Sequence, residues 1–248
     1  MPGVMSWEEM NWLLPDFDET GLIYHGTDTE NLVSIFQRGL IPRFKEDPTE
    51  LHHTIYEAHY RHRPDFIPDW VDPRKCIFGY MNRARQGGSD GIVDGKVNNV
   101  TIGIETADHV IARIWTACIQ FSDMVYCPEE AGYFDTPERK AFFKDRMEPV
   151  SCEAYWKTSL SFVDNLKIRL DHLLPMQGYH ELLICSEIAP ESLSLQGFRV
   201  QGCNGIREVL RSDLREVFLN AEEKLRNNVE IVQELKVVTE FCGRVVSV

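Results

Sequence analysis

Apolar and polar positions between residues 22 and 43 predict a strand, a turn and a short helix. Residues 22–24 are apolar and lead into His25, as in a short strand. Asp28 or Thr29 can cap the helix that follows. Its apolar residues fall on one face: Leu32, Ile35 and Phe36. Gly39 stands where the C-terminus of a helix favours a left-handed residue, so we expect the helix to end there.

The same patterns predict further elements along the chain. Strands are expected at residues 76–80, 100–104 and 179–186. Helices are expected at residues 54–61, 137–145, 155–173 and 211–236. Residues 110–121 are apolar almost throughout, and this run fits either a core strand or a buried helix.

The order of these elements predicts an α+β fold. Residues 44–72 are charged, rich in histidine and interrupted by prolines, which is typical of a long connection around a short helix. No linker separates the elements. We therefore predict one domain over residues 1–248, with a core at about 20–200 and a C-terminal helical extension at about 205–248.

Composition and charge narrow the functional classes. A chain of 248 residues that is 43% hydrophobic can bury a substantial core. The net charge of −13 argues against broad binding to nucleic-acid phosphates, although it leaves room for a local basic groove. The seven cysteines are odd in number and form no Cys-x-x-Cys pair, a pattern that favours free thiols in a reducing compartment.

No targeting or membrane segment is predicted. The N-terminal residues lack a basic region followed by a long apolar core, and no run approaches the roughly 18 apolar residues of a membrane helix. We expect a cytoplasmic protein, or a toxin-like or effector-like protein that is exported without a classical signal peptide, and no membrane partner.

Three short stretches carry candidate chemistry. In "YHGT", Gly26 lets the backbone approach a flat ligand and His25 can hydrogen-bond to the ligand's edge. In "IFGY", Phe78 and Tyr80 share one side of a strand, where they can stack on a planar ring or fill the core. In "YHELLI", Glu181 opens an apolar strand, where a carboxylate is costly to bury unless it is paired or used.

Together these stretches resemble the ADP-ribosyltransferases of the diphtheria-toxin and poly(ADP-ribose) polymerase type. The signature of that family is a His, an aromatic residue and a Glu on three separate strands. The resemblance covers residues 22–40 and 178–184 well and residues 76–84 loosely. It implies a split β-sandwich of two antiparallel sheets with flanking helices.

The resemblance also implies a role for each motif position. His25 would hydrogen-bond the adenosine ribose of NAD, which is the substrate, and would form the catalytic pair with Glu181. The Gly26 backbone would bind the nicotinamide amide, and Thr27 would brace the turn. The nicotinamide ring would stack on one of two aromatic residues, Phe78 or Tyr80.

In the last motif, the resemblance implies a catalytic carboxylate and, two residues before it, a residue that lines the NAD site. Glu181 would bind the 2′-hydroxyl of the nicotinamide ribose and stabilise positive charge as the glycosidic bond opens. Tyr179, two residues before it, would line the NAD site as in the polymerase-like branch. Arginine-directed and Rho-directed transferases carry Gln or Glu there, so this position argues against an arginine-directed activity.

Three functions remain open. The first is a mono-ADP-ribosyltransferase that moves ADP-ribose from NAD to a macromolecular acceptor, protein or nucleic acid. The second is a tRNA 2′-phosphotransferase-like enzyme. Its RNA 2′-phosphate could be bound by basic residues: Arg43, Arg61, Arg63, Arg83 and Arg85. The third is a module that binds NAD or ADP-ribose without catalytic activity. The glutamate that the motif retains, Glu181, argues against this third function.

Other polar residues are interpreted as structural. Four histidines (His52, His53, His59 and His62) lack the cysteine or carboxylate partners of a metal site, so we predict no metal and a solvated histidine-rich surface. Ser159 and Ser161 are taken as structural. The charged residues near the C-terminus are assigned to the exposed face of the last helix: Glu222, Glu223, Lys224 and Arg226.

Overall fold

The computed structural model describes residues 21–43, 51–81, 92–93, 96–97, 100–118, 136–168, 180–202, 205–231, 234 and 236–237. Two compact units are formed, each from separate stretches of the chain. Unit 1 contains the described residues of 42–81 and 107–186. Unit 2 contains those of 18–41, 82–106 and 187–248.

The described strands and helices alternate irregularly along the chain. The strands are β1 (Ile23–Thr27), β2 (Ile77–Gly79), β3 (Ile92–Val93), β4 (Lys96–Val97), β5 (Val100–Ile104), β6 (Ile114–Cys118), β7 (Leu160–Ser161), β8 (His180–Ile184), β9 (Leu193–Gly202) and β10 (Gly205–Leu210). The helices are α1 (Leu32–Arg38), α2 (Leu51–Arg61), α3 (Asp108–Ile111), α4 (Pro137–Phe142), α5 (Glu148–Lys157), α6 (Phe162–Ile168) and α7 (Arg215–Arg226). A π-helical turn, Phe143–Met147, joins α4 to α5.

Unit 1 is built on an antiparallel sheet with the strand order β2-β8-β6-β7. In its register Leu183 of β8 lies between Phe78 of β2 and Trp115 of β6. One face of the sheet packs on a cluster of buried residues: Ile67, Val71, Trp115, Ala117, Tyr155, Trp156 and Leu183. Burial of an aliphatic side chain such as Leu183 stabilises the fold by about 2 kcal/mol.

Indole hydrogen bonds fix the helices of unit 1. Trp156 Nε1 on α5 donates to the carbonyl of His59 on α2 at 2.8 Å. Trp115 Nε1 on β6 donates to Ser159 Oγ at 2.8 Å. Because both donors are buried, these bonds remove the penalty of desolvating the indole N–H groups and set the positions of α2 and α5.

Unit 2 is built on a second antiparallel sheet with the order β1-β5-β9-β10, in which β1 is an edge strand. The three apolar residues predicted for α1 are buried: Leu32, Ile35 and Phe36. Phe198 of β9 packs on Phe218 of α7 with ring centroids 5.0 Å apart. Strands β3 and β4 pair separately as a short antiparallel ribbon.

The predicted α+β class is confirmed, with two antiparallel four-stranded sheets and flanking helices. The ADP-ribosyltransferase-like split β-sandwich and the single domain over residues 1–248 stay predictions. None of the helices in the described ranges is long and apolar enough to cross a membrane.

The structure decides one open alternative and corrects one helix prediction. The ambiguous run at residues 110–121 contains the end of α3 and then β6, so its described part is mostly strand. The helix predicted over residues 155–173 is wrong, because α5 ends at Lys157 and β7 intervenes before α6. Thr158 Oγ1 donates to the carbonyl of Ala154, and Ser159 Oγ donates to that of Trp156. Side-chain hydroxyls of this kind satisfy the last carbonyls and end the helix.

The exposed face predicted for the last helix is also wrong at one position. Glu222 is only 5% exposed. Its Oε1 accepts a hydrogen bond from the backbone N–H of Leu195 at 2.7 Å and pairs with Arg211. Strand β9 and the turn after β10 therefore meet α7 at a carboxylate that was predicted to be exposed to solvent.

Candidate active site

The first motif lies on the edge strand of unit 2. In the antiparallel register His25 pairs with Ile102 and Gly26 with Thr101. Thr27 is buried at the end of β1, and its Oγ1 accepts a hydrogen bond from Asn31 Nδ2 at 3.4 Å. This contact joins the strand to the turn that precedes α1, which is the place where the resemblance assigns a bracing residue.

The aromatic motif lies on β2 in unit 1. Phe78 is opposite Leu183, and alternate residues of a strand share a face, so Phe78 and Glu181 lie on the same face of this sheet. The Phe78 ring stacks on Tyr56 of α2, with centroids 4.4 Å apart and planes inclined by 22°. Continuing the register by one residue brings Tyr80 opposite Glu181.

Glu181 is buried inside unit 1. It lies on β8, which is flanked on both sides by strands, and it is 1% exposed. Its partner on β6 is Ala117, which is apolar. Tyr155 Oη donates a hydrogen bond to Glu181 Oε1 at 2.8 Å. A buried carboxylate needs such a donor, because an isolated charge in an apolar core is strongly destabilising.

Tyr155 is a neutral hydrogen-bond donor, and its ring stacks on the ring of His59. Burial first, and then the negative charge of Glu181, raises the pKa of Tyr155 well above its usual range, so the hydroxyl keeps its proton. The Tyr155 ring stacks on His59 of α2 with centroids 3.9 Å apart and planes inclined by 23°. His59, Tyr155 and Glu181 thus form a buried row from α2 through α5 to β8.

His59 is part of the core, which corrects the predicted solvated histidine-rich surface at this position. It is 0% exposed. Burial, followed by the charge of His62, lowers the pKa of His59 to about 3, so the imidazole is neutral near pH 7. His62 lies nearer the surface, with Nε2 3.3 Å from Glu148 Oε1. No group of three or more metal-binding side chains is formed among the residues in the described ranges.

The other residues interpreted as structural have structural contacts. Ser159 joins β6 to the end of α5 through its bonds with Trp115 and Trp156. Ser161 Oγ accepts from the backbone N–H of Asp164 at 3.1 Å and donates to its side chain at 2.7 Å, so it caps α6.

Two arginines proposed for phosphate binding are engaged within the protein. Arg63 donates to the carbonyl of Val71 at 3.1 Å and to the Asp69 carboxylate at 2.9 Å. Arg61 pairs with Glu148 at 3.4 Å. Arg83 and Arg85 lie outside the described residues, as does Tyr179.

The sequence points to Glu181 as a candidate but gives no sign of its neighbours Tyr155 and His59. Glu181 was recognisable because a carboxylate interrupts an apolar strand. Tyr155 lies 26 residues earlier and belongs to a different element, so no local spacing connects the two. An aromatic pair on a helix, Tyr155 and Trp156, is by itself typical of an ordinary buried face.

The motif residues are divided between the two units. Phe78, Tyr80 and Glu181 belong to unit 1, where the sheet brings Phe78 and Glu181 to one face, whereas His25, Gly26 and Thr27 belong to unit 2. A common NAD site for both groups stays a prediction. No family model, no curated protein and no solved structure matches this chain.

Proposed function

We propose that this protein is an NAD-dependent mono-ADP-ribosyltransferase that moves ADP-ribose from NAD to a macromolecular acceptor and releases nicotinamide. The observation that carries the proposal is the buried Glu181 on a strand beside the aromatic motif, with a neutral hydroxyl directed at its carboxylate. A carboxylate that is desolvated, oriented and beside an aromatic strand suits the cleavage of a glycosidic bond.

The reaction breaks the bond between C1′ of the ribose and the nicotinamide nitrogen. The electron pair of that bond leaves with nicotinamide, and C1′ and the ring oxygen share the positive charge that develops. Glu181 would accept a hydrogen bond from the ribose 2′-hydroxyl and stabilise this charge. An acceptor nucleophile then attacks C1′ and loses its proton.

The remaining motif residues would bind NAD and position it for bond cleavage. His25 would contact the adenosine ribose, the Gly26 backbone would bind the nicotinamide amide, and Thr27 would hold the turn. One aromatic residue of the second motif would stack on the nicotinamide ring. Substitutions of His25 and of Glu181 test the two groups of residues separately.

The same hydrogen bond is also compatible with a different function. The hydrogen bond between Tyr155 and Glu181 already satisfies one carboxylate oxygen within the protein. That bond also suits a structural carboxylate in a module that binds NAD or ADP-ribose without turnover. The phosphotransferase alternative has less support, because Arg61 and Arg63 are paired with acidic groups of the chain itself.

Labelled NAD tests the proposal. The purified protein is incubated with NAD labelled in the adenosine half, with and without a whole-cell extract, and released nicotinamide is measured. We expect nicotinamide release and a labelled macromolecule, which protease or nuclease treatment then assigns to protein or nucleic acid. His25→Ala should weaken NAD binding and lower activity. Tight NAD binding without nicotinamide release would instead support the silent module.

A further inference from the structure

We propose that Tyr155 is the positioning residue for Glu181 and that its hydroxyl holds the carboxylate in the orientation the reaction needs. The inference rests on the proposed function, since it concerns turnover at the same carboxylate. Tyr155 lies outside all three motifs. It reaches Glu181 from α5, whereas the motif residues lie on β1, next to or on β2, and on β8.

Two contacts hold the Tyr155 side chain in position next to Glu181. Tyr155 and His59 are both 0% exposed, and their stacked rings prevent the Tyr155 ring from swinging away from β8. The bond from Trp156 to the His59 carbonyl joins α5 to α2 at the next residue. The hydroxyl is therefore preorganised, and the 2.8 Å bond needs no rearrangement to form.

A neutral donor suits this task better than a cation. An arginine or lysine would orient the carboxylate but would also neutralise the charge that is needed at C1′. A tyrosine hydroxyl orients one oxygen and leaves the net charge in place. In proteins a hydrogen bond to a charged group is worth more than one between neutral groups, so its loss is measurable.

Several other titratable groups interact with the pair or with its neighbours. On α2, His59 is neutral because burial first, and then the charge of His62 just beyond the helix, lower its pKa to about 3. Tyr56, also on α2, adds to the raised pKa of Tyr155. Ahead of β2, burial raises the pKa of Cys76, and Cys185, Glu181 and Asp72 raise it further, so this thiol is protonated. Asp72 is paired with Arg74 at 2.9 Å.

Tyr155→Phe tests the inference, since it removes the hydroxyl and keeps the ring on His59. Tyr60→Phe is the matched control: it makes the same change on α2, where the Tyr60 ring lies under the Arg74 guanidinium. For Tyr155→Phe we expect kcat for nicotinamide release to fall roughly tenfold or more, the scale of a hydrogen bond to a charged group. KM for NAD should stay within about threefold. Tyr60→Phe should match the wild type.

The pH profile separates positioning from a purely structural role. Without the hydroxyl the carboxylate takes up a proton more easily, so the acid limb of the kcat profile should move to higher pH in Tyr155→Phe. If Tyr155→Phe does not fold, 3-fluorotyrosine placed at position 155 keeps the bond and strengthens the donor. The acid limb should then move to lower pH.

The outcomes distinguish this inference from the proposed function. If the wild type releases nicotinamide while Tyr155→Phe keeps the wild-type kcat and acid limb, the positioning role is wrong and the transferase proposal stands. If 3-fluorotyrosine at position 155 leaves the acid limb of the kcat profile at the wild-type pH, the positioning role is likewise wrong. If the wild type releases no nicotinamide, the proposed function is wrong and the positioning role is lost with it.

Discussion

At the scale of single residues, the burial of Glu181 is what has to be explained. A carboxylate that is 1% exposed in an apolar core lowers stability unless donors compensate, and an apolar residue of similar size would avoid that loss. Tyr155 supplies one donor at 2.8 Å. The proposed role in transition-state stabilisation would explain a charge at this position.

His59 should make the protein sensitive to acid. Its pKa is about 3 in the folded protein, against 6.5 for an ordinary histidine, so between these values the unfolded state binds more protons and stability falls as pH decreases. The loss is up to about 1.4 kcal/mol per pH unit. His59→Phe keeps a ring beside Tyr155 and removes the titration. Urea denaturation at pH 7 and pH 5 should show a smaller acid loss for His59→Phe than for the wild type. Equal losses of stability in His59→Phe and the wild type would show that groups other than His59 cause the acid sensitivity.

The two aromatic candidates for nicotinamide stacking should differ. Tyr80 falls opposite Glu181 when the register of β2 is continued, whereas the Phe78 ring is already stacked on Tyr56. We therefore expect Tyr80→Ala to weaken NAD binding roughly fivefold, the scale of one stacking contact, and Phe78→Ala to weaken it less. Calorimetric titration with NAD measures both. A larger loss in Phe78→Ala would reverse the assignment.

Single residues also mark the limit of prediction from sequence. The "EEK" pattern at residues 222–224 predicts a solvated helix face, yet Glu222 is buried because Leu195 and Arg211 bring donors from other parts of unit 2. His59 became a core residue for the same kind of reason, through Tyr155 and Trp156. Side chains whose partners come from distant elements cannot be assigned from local pattern.

At the scale of elements, local chemistry made the end of α1 predictable. Gly39 has φ +81° and ψ −174°, so the expected positive φ is confirmed, although ψ is extended rather than helical. Its N–H donates to the carbonyl of Ile35 at 2.8 Å, and the next residue, Leu40, pairs with Ile188. The region 155–173 was not predictable in this way, because β7 forms through pairing with β6.

Gly39→Ala should destabilise the protein. A Cβ at this position would clash with the Ile188 carbonyl oxygen, and the backbone conformation is one that glycine alone adopts readily. We expect the free energy of unfolding, measured by urea denaturation, to fall by about 1–3 kcal/mol or more. Gln37→Ala, an exposed position in the same helix, is the control and should change stability little. A neutral effect of Gly39→Ala would contradict the described backbone.

At the scale of the whole molecule, the sequence predicted the α+β class but not the order of the strands in the sheets. Strand β5 was located correctly at Val100–Ile104, but its partners β1 and β9 lie far away in the chain on either side. Strand β8 likewise pairs with β2 and β6. Such pairings depend on long-range packing, and only the resemblance, not the pattern of residues, suggested two antiparallel sheets.

The proposed function depends most directly on Glu181. In the proposed reaction this carboxylate stabilises charge that exists only in the transition state, so its removal should lower turnover and hardly affect NAD binding. Glu181→Gln keeps the shape and an oxygen for Tyr155 while deleting the charge. Glu222→Gln is the control, since it changes a buried carboxylate that is paired structurally with Arg211. It should lower the melting temperature and leave the rate per folded molecule unchanged.

The decisive measurement is nicotinamide release by Glu181→Gln at saturating NAD, with NAD affinity determined by calorimetry on the same sample. The transferase mechanism predicts an NAD dissociation constant within about threefold of the wild type and a rate lower by roughly a hundredfold or more, the scale of one lost preorganised electrostatic contact. A wild-type rate per folded molecule in Glu181→Gln would contradict the transferase mechanism and leave Glu181 as a structural carboxylate.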